Sequence, residues 1–189
     1  PRSTLFPYTT LFRSRLTVYH AVDDIAAQPG MPVAAIRAGE AALLRRADLV
    51  FVTAPNLRDM HAAVNPDTHY FSNVADFAHF NTALAPETAV PDDIAAIPGP
   101  RIGFVGAISS YKLDFDMIRA AARLRPDWSF VFIGEIGEGD PLTDATAITA
   151  VPNIHFLGGR PYAALPGYLK AMDVALLPNR INDYTRSMF

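Results

Sequence analysis

RIGFVGAISSYKLDFDMIRAAARLRPDWSFVFIG, residues 101–134, is the stretch on which the fold assignment turns. Residues 102–105 form a short apolar run that reads as a strand and stops at Gly106. Residues 106–112 mix glycine, two serines and Lys112, and read as a loop. Residues 115–124 have the spacing of an amphipathic helix, and Asp114 just ahead of them suits a helix cap. Residues 128–133 read as a second strand, with Trp128 expected in the core, and a loop carrying Gly134, Gly137 and Gly139 follows. Strand, helix and strand in this order is the repeating unit of a parallel sheet.

The same alternation extends both ways. Downstream, residues 154–157 read as a strand, 162–172 as a helix interrupted near Pro166, and 173–177 as a strand. Upstream, residues 16–20 form a β-rich run ending near Asp23 and Asp24, and residues 33–46 are rich in good helix formers. DLVFVT, residues 48–53, is a continuous apolar run of the kind buried on both faces of a parallel sheet. A helix through Leu57, Met60 and Ala63 and a strand at 68–71 complete this half. LAPETAVPDDIAAIPGP, residues 84–100, concentrates proline and glycine and reads as an interdomain linker. The expected organisation is therefore α/β, with one Rossmann-like part over 15–97 including the linker and another over 98–189. Residues 1–14, PRSTLFPYTTLFRS, repeat TLF between two Arg-Ser pairs and resemble translated sequencing-adapter read-through. This tail is read as non-native and carries no functional weight.

Composition narrows the function classes. Half of the 189 residues are apolar, enough for a substantial core. A net charge of -3 without a basic cluster argues against nucleic acid as a partner. The absence of cysteine excludes disulfides, thiolate metal sites and a cysteine nucleophile. The five histidines lack the paired spacing of a helical zinc site. No apolar run is long enough to span a bilayer and no signal-peptide pattern is present, so a soluble, cytoplasmic protein is expected.

Four ordered strings resemble bacterial glycosyltransferases of the GT-B fold, group 1 or family 4-like, of the type active in polysaccharide biosynthesis. EAALLRRADLVFVTAPNLRDM (40–60) is similar to the end of that family's N-terminal domain, and SNVADFAHF (72–80) to the segment leading to its linker. Residues 101–134 resemble the start of the donor domain, and VPNIHFLGGRPYAALPGYLKAMDVALLP (151–178) its middle. The resemblance implies two Rossmann-like domains with parallel sheets, both incomplete, in a chain truncated at both ends. The whole enzyme is expected to transfer a hexose from a nucleotide-diphosphate sugar, UDP- or GDP-linked, to a saccharide or lipid-linked acceptor. No cofactor and no metal are expected, peripheral association with the inner face of the cell membrane is compatible, and the fragment itself is expected to be inactive. A nucleotide-sugar epimerase of GT-B shape and a non-catalytic nucleotide- or sugar-binding module are the alternatives.

Ligands of open parallel sheets sit at the carboxyl ends of the strands, which selects the candidate residues. Gly106 allows close backbone approach to a pyrophosphate, and Lys112 can neutralise charge on a departing diphosphate. Ser109 in the same loop and Gly134 after the next strand join them as donor-binding candidates. Ala107 stands where the family usually has an arginine. Asn182 and Thr185 in NDYTRS are donor-binding candidates by resemblance, near the donor's sugar and phosphates. Asp24 and Asp23 are the catalytic candidates, as base or acceptor ligand at a strand end, with helix capping as the plain alternative. His20 is a further candidate. Asp114 and Asp116 are expected to cap a helix rather than hold a metal, and Asp76 to cap the helix toward Phe80.

Overall fold

The computed structural model describes residues 15–140 and 142–188; the tail read as non-native lies outside the described residues. Short, fully apolar strands satisfy both faces only when helices cover them, and their backbone groups only by pairing. Every strand pairing among the described residues is parallel. The strands form two separate sheets, with orders β1-β2-β3 and β6-β5-β4-β7. The chain divides into two compact units. One runs to Asn73 and resumes at Asn182, and the other is Val74–Ile181.

In the first unit β2 (Leu49–Val52) lies between β1 (Val18–Ala21) and β3 (Thr68–Tyr70). Two helices connect them, α1 (Val33–Leu44) and α2 (Pro55–Ala62). Pro55 sits in the first turn of α2, where its missing N–H has no intrahelical partner to lose. Val50, Val52, Ala54 and Leu57 are fully buried with Ala21 and Leu44 around them. The segment from Asn182 returns to this unit, where the Asn56 side-chain amide donates to Ser187 Oγ at 2.8 Å.

The second unit begins with α3 (Phe77–Asn81) and α4 (Asp92–Ala95). It continues through β4 (Arg101–Val105), α5 (Phe115–Leu124), β5 (Ser129–Ile133), α6 (Thr146–Thr149), β6 (Ile154–Gly158), α7 (Leu165–Lys170) and β7 (Val174–Ala175). Alternate residues of a strand point to opposite faces, and the two faces carry separate cores. Ile102, Phe104, Phe130 and Phe132 pack against Phe115, Ile118 and Ala122 of α5. Val131 and Ile133 pack the other way, against Ile94, Ile97, Tyr168 and Ala171. Each such side chain contributes about 1.5–3 kcal/mol on burial. The expected caps form: the Asp76 and Asp114 carboxylates accept N–H bonds from His79 and Met117.

Three expectations are modified. Residues 84–100 are a built part of the second unit, because Ile94 and Ile97 enter its core and the Lys170 ammonium donates to the carbonyls of Ala85, Pro86 and Thr88. Pro166 does not interrupt a helix; it lies in the first turn of α7, after a 3-10 turn at Tyr162–Ala164. The strand expected at 173–177 is only two residues long. It is an exposed edge, and the chain beyond it turns away to make an antiparallel bridge between Asn179 and Leu113. No helix among the described residues is long and apolar enough to cross a membrane.

One side chain joins α5 to both neighbouring strands. The Asn153 amide shares its two N–H groups among the carbonyls of Ala122, Arg125 and Trp128 at 2.9–3.0 Å. Asn153→Ala removes this donor from the Ala122 and Trp128 carbonyls, while Arg125 keeps the Trp128 N–H, and is expected to cost about 2–3 kcal/mol. A urea titration checks it: the midpoint should fall with the slope unchanged.

Candidate functional site

Chain order in the second sheet steps outward from β4 to β5 to β6 and then crosses to β7 on the far side of β4. That reversal is the position where open parallel sheets take ligands, beyond the carboxyl ends of the strands. Gly106, Gly134 and Gly158 end β4, β5 and β6 there, all with positive φ. A methyl group at Gly134 would overlap the carbonyl of Gly106, so the adjoining strand ends meet backbone to backbone. An extra residue in β6 pairs Ile133 with Gly158 instead of Leu157, which brings the third glycine into line.

The two expected glycines are thus brought together, in a particular role. Gly106 N–H donates to Ile133 and Gly134 N–H to Gly158, so both donors are engaged in the sheet. What the glycines supply is the absence of side chains. The loop between β4 and α5 is anchored on both flanks. Ile108 bridges to Ile136 beyond β5, while Asp114 N–H donates to Pro178 and Arg180 N–H to Lys112 beyond β7. Lys112 is half-buried, with Nζ 5.5 Å from the centre of the Tyr111 ring. Ser109 is wholly buried, and its hydroxyl has no hydrogen-bond partner among the described residues. Charged side chains border this edge as well, since Glu135 Oε1 accepts the Gly159 N–H at 2.9 Å and Arg160 lies next to Gly158.

Asn182 and Thr185 belong to the first unit. They cap each other, Thr185 N–H donating to Asn182 Oδ1 at 2.9 Å and Asn182 N–H to Thr185 Oγ1 at 3.0 Å. Asp114 is occupied as a cap and Asp116 pairs with Arg119 at 2.8 Å. Among the described residues no three His, Asp or Glu side chains gather as metal ligands.

Asp24 and Asp23 follow β1 in the first unit. Asp24 is 5% exposed and does not cap the next turn with its side chain. Its Oδ2 instead accepts from Arg37 at 2.7 Å, and the bond raises the guanidinium pKa above its ordinary value. Arg37 also reaches Glu40 at 3.1 Å, and Glu40 accepts from the Tyr19 hydroxyl at 3.2 Å. Burial, reinforced by the Glu40 charge, pushes the Tyr19 phenol up to about 12. Asp23 is half-exposed beside this cluster, while His20 is exposed on the opposite face of β1 from Tyr19. Sequence reasoning passed over Arg37, Glu40 and His61. The three-residue spacing of Arg37 and Glu40 on one helix was the available signal.

His61 is 1% exposed and lies 3.5 Å from Glu40, and among the described residues neither ring nitrogen has a hydrogen bond. Burial lowers its pKa from the ordinary 6.5, outweighing the opposing pull of Glu40. As pH falls below that value, the unfolded chain takes up a proton that folded His61 resists. Its contribution to stability is therefore present above pH 6.5 and is lost on acidification. Urea midpoints at pH about 7.5 and about 5.5 test this. The drop should be smaller in His61→Leu than in the parent, and equal drops would contradict it.

No protein-family model matches the chain. Over 160 residues it is 26% identical to a Bacillus subtilis (strain 168) protein provisionally named the teichuronic acid biosynthesis glycosyltransferase TuaH, covering 82% of this chain and 39% of that protein. Its fold is similar to that of Anabaena Alr3699/HepE, solved in complex with UDP and glucose. The TM-score is 0.65 at 22% identity, over 88% of this chain and 47% of that one. Sucrose-phosphate synthase from Thermosynechococcus elongatus is similar with a TM-score of 0.57 at 20% identity, over 86% and 43%. The chain spans less than half the length of each of these proteins.

Proposed function

We propose that this chain, which carries part of the GT-B fold, is the portion of a glycosyltransferase that holds the diphosphate of a nucleotide-sugar donor. The observation that carries the reading is the row Gly106, Gly134 and Gly158 at the sheet's reversal point, with Lys112 in the adjoining loop. A diphosphate is bulky and doubly charged; it needs backbone without side chains and a cation held in place. Lys112 supplies that cation, and its attraction strengthens as the sugar leaves and negative charge collects on the diphosphate.

The likeness to a structure binding UDP and glucose supports a uridine nucleotide as the donor carrier and a hexose as the transferred group. The relative named for teichuronic acid biosynthesis supports a saccharide acceptor. On the acceptor side Asp23 is the better-placed carboxylate, because Asp24 is buried and bound to Arg37. The chemistry requires no resident metal if Lys112 and the loop backbone carry the leaving-group charge.

Calorimetry with UDP on the 189-residue chain tests the donor site. Lys112→Ala is expected to weaken binding about tenfold, the loss of one charge-assisted contact of about 1.4 kcal/mol. Equal affinities in the two proteins would remove Lys112 from the site, and no UDP binding by the parent chain would remove the site itself.

A further inference from the structure

The Lys112 loop is fastened to its flanks by backbone bonds at Ile108 and at Lys112 to Asp114, and side chains tie its middle to a neighbouring loop. Nine residues that leave one strand and enter a helix have many conformations of similar energy unless they are tied down, and an ammonium on such a loop binds an anion only after that freedom is lost. Within the middle, the Ser109 carbonyl accepts from Lys112 and Leu113, which makes a local turn without a tie to a neighbour. Ser110 supplies the tie. Its N–H donates to Thr143 Oγ1 at 3.2 Å and its hydroxyl to Asp140 Oδ2 at 3.1 Å. Thr143 donates its own hydroxyl to the same Oδ2 at 2.7 Å, and Asp140 Oδ1 accepts the Leu142 N–H at 3.2 Å. Asp140 is 8% exposed, and its backbone N–H is held by Gly137, whose own N–H is bound to Ile108.

We infer that Asp140, acting through Thr143 and Ser110, is a positioning residue that presets the loop carrying Lys112 for a nucleoside diphosphate. The inference rests on the donor-site reading above and adds to it a residue about thirty positions away that touches no ligand. Three neutral donors converge on the Asp140 carboxylate and satisfy its oxygens, so the buried charge is held in one place as the anchor of the triad. The contribution of the triad is to fix the loop in advance, which lowers the ordering cost of binding.

Two measurements on the full 189-residue chain test this, on Asp140→Ala, Thr143→Val and Thr143→Ser. Amide hydrogen exchange at Ile108, Lys112 and Leu113 should quicken about tenfold in Asp140→Ala and Thr143→Val, with Phe130 and Phe132 in β5 unchanged. Thr143→Ser keeps the hydroxyl and should behave as the parent. UDP affinity by calorimetry should fall about tenfold in the same two variants and recover in Thr143→Ser. Unchanged exchange in the loop, or a loosened loop with unchanged UDP affinity, overturns the inference. A parent chain that binds no UDP while its loop still loosens on Thr143→Val would overturn the donor-site reading and leave the positioning role standing.

Discussion

The second unit depends on a backbone-to-backbone approach, the end of β5 lying against the carbonyl of Gly106 with no room for a Cβ at Gly134. Parallel strands run side by side at a nearly constant spacing, so their ends normally present a row of side chains to whatever lies beyond. Three adjacent glycines at these ends let the strands close together and leave the borders of the edge to neighbouring side chains such as Glu135 and Arg160. The cost is conformational, because glycine loses more freedom on folding than any other residue. The surrounding loops meet that cost by being tied to one another.

Polar side chains that serve several carbonyls at once do most of this tying. Arg101 donates to the carbonyls of Ala95, Ile97 and Ala171, as Lys170 and Asn153 do to their own groups of three. Helix ends leave carbonyls without intrahelical partners, and one long side chain that collects three of them needs fewer ordered groups than three separate caps. In the first unit the Asp24–Arg37–Glu40 chain is a different device, in which charge compensates charge in a largely buried setting. The burial of His61 beside Glu40 makes that cluster sensitive to pH.

Most of the framework was legible in the sequence. Apolar runs and periodicity located the strands, and α5 has the expected bounds, because both depend on local patterns that burial in a parallel sheet enforces. The placement of Gly106 and Gly134 just after strands followed from the general rule about strand ends, whereas their contact did not. Strand order did not follow, since nothing local states that β7 lies beside β4. The brevity of β7 was hidden for the same reason: Val174 and Ala175 look like interior strand residues but lie at an exposed edge. Proline in 84–100 was read as a signal of separation, whereas Ile94 and Ile97 insert between helix and sheet. The ties at Asp140 and Arg37 join residues that are distant in sequence or ordinary in type, so only tertiary placement reveals them.

The bond between Asn56 and Ser187 spans 131 positions of the chain. The polypeptide therefore leaves the first unit, builds the whole of Val74–Ile181, and comes back to finish what it began. Closing so long an interval costs only slightly more entropy than closing a short one, yet it delays the event until residues as far as Ser187 have been made. During synthesis the inserted unit can assemble as soon as its own strands have emerged, whereas the enclosing unit must wait with one flank of α2 still bare. Order of maturation in this molecule thus runs from the inside of the sequence outward.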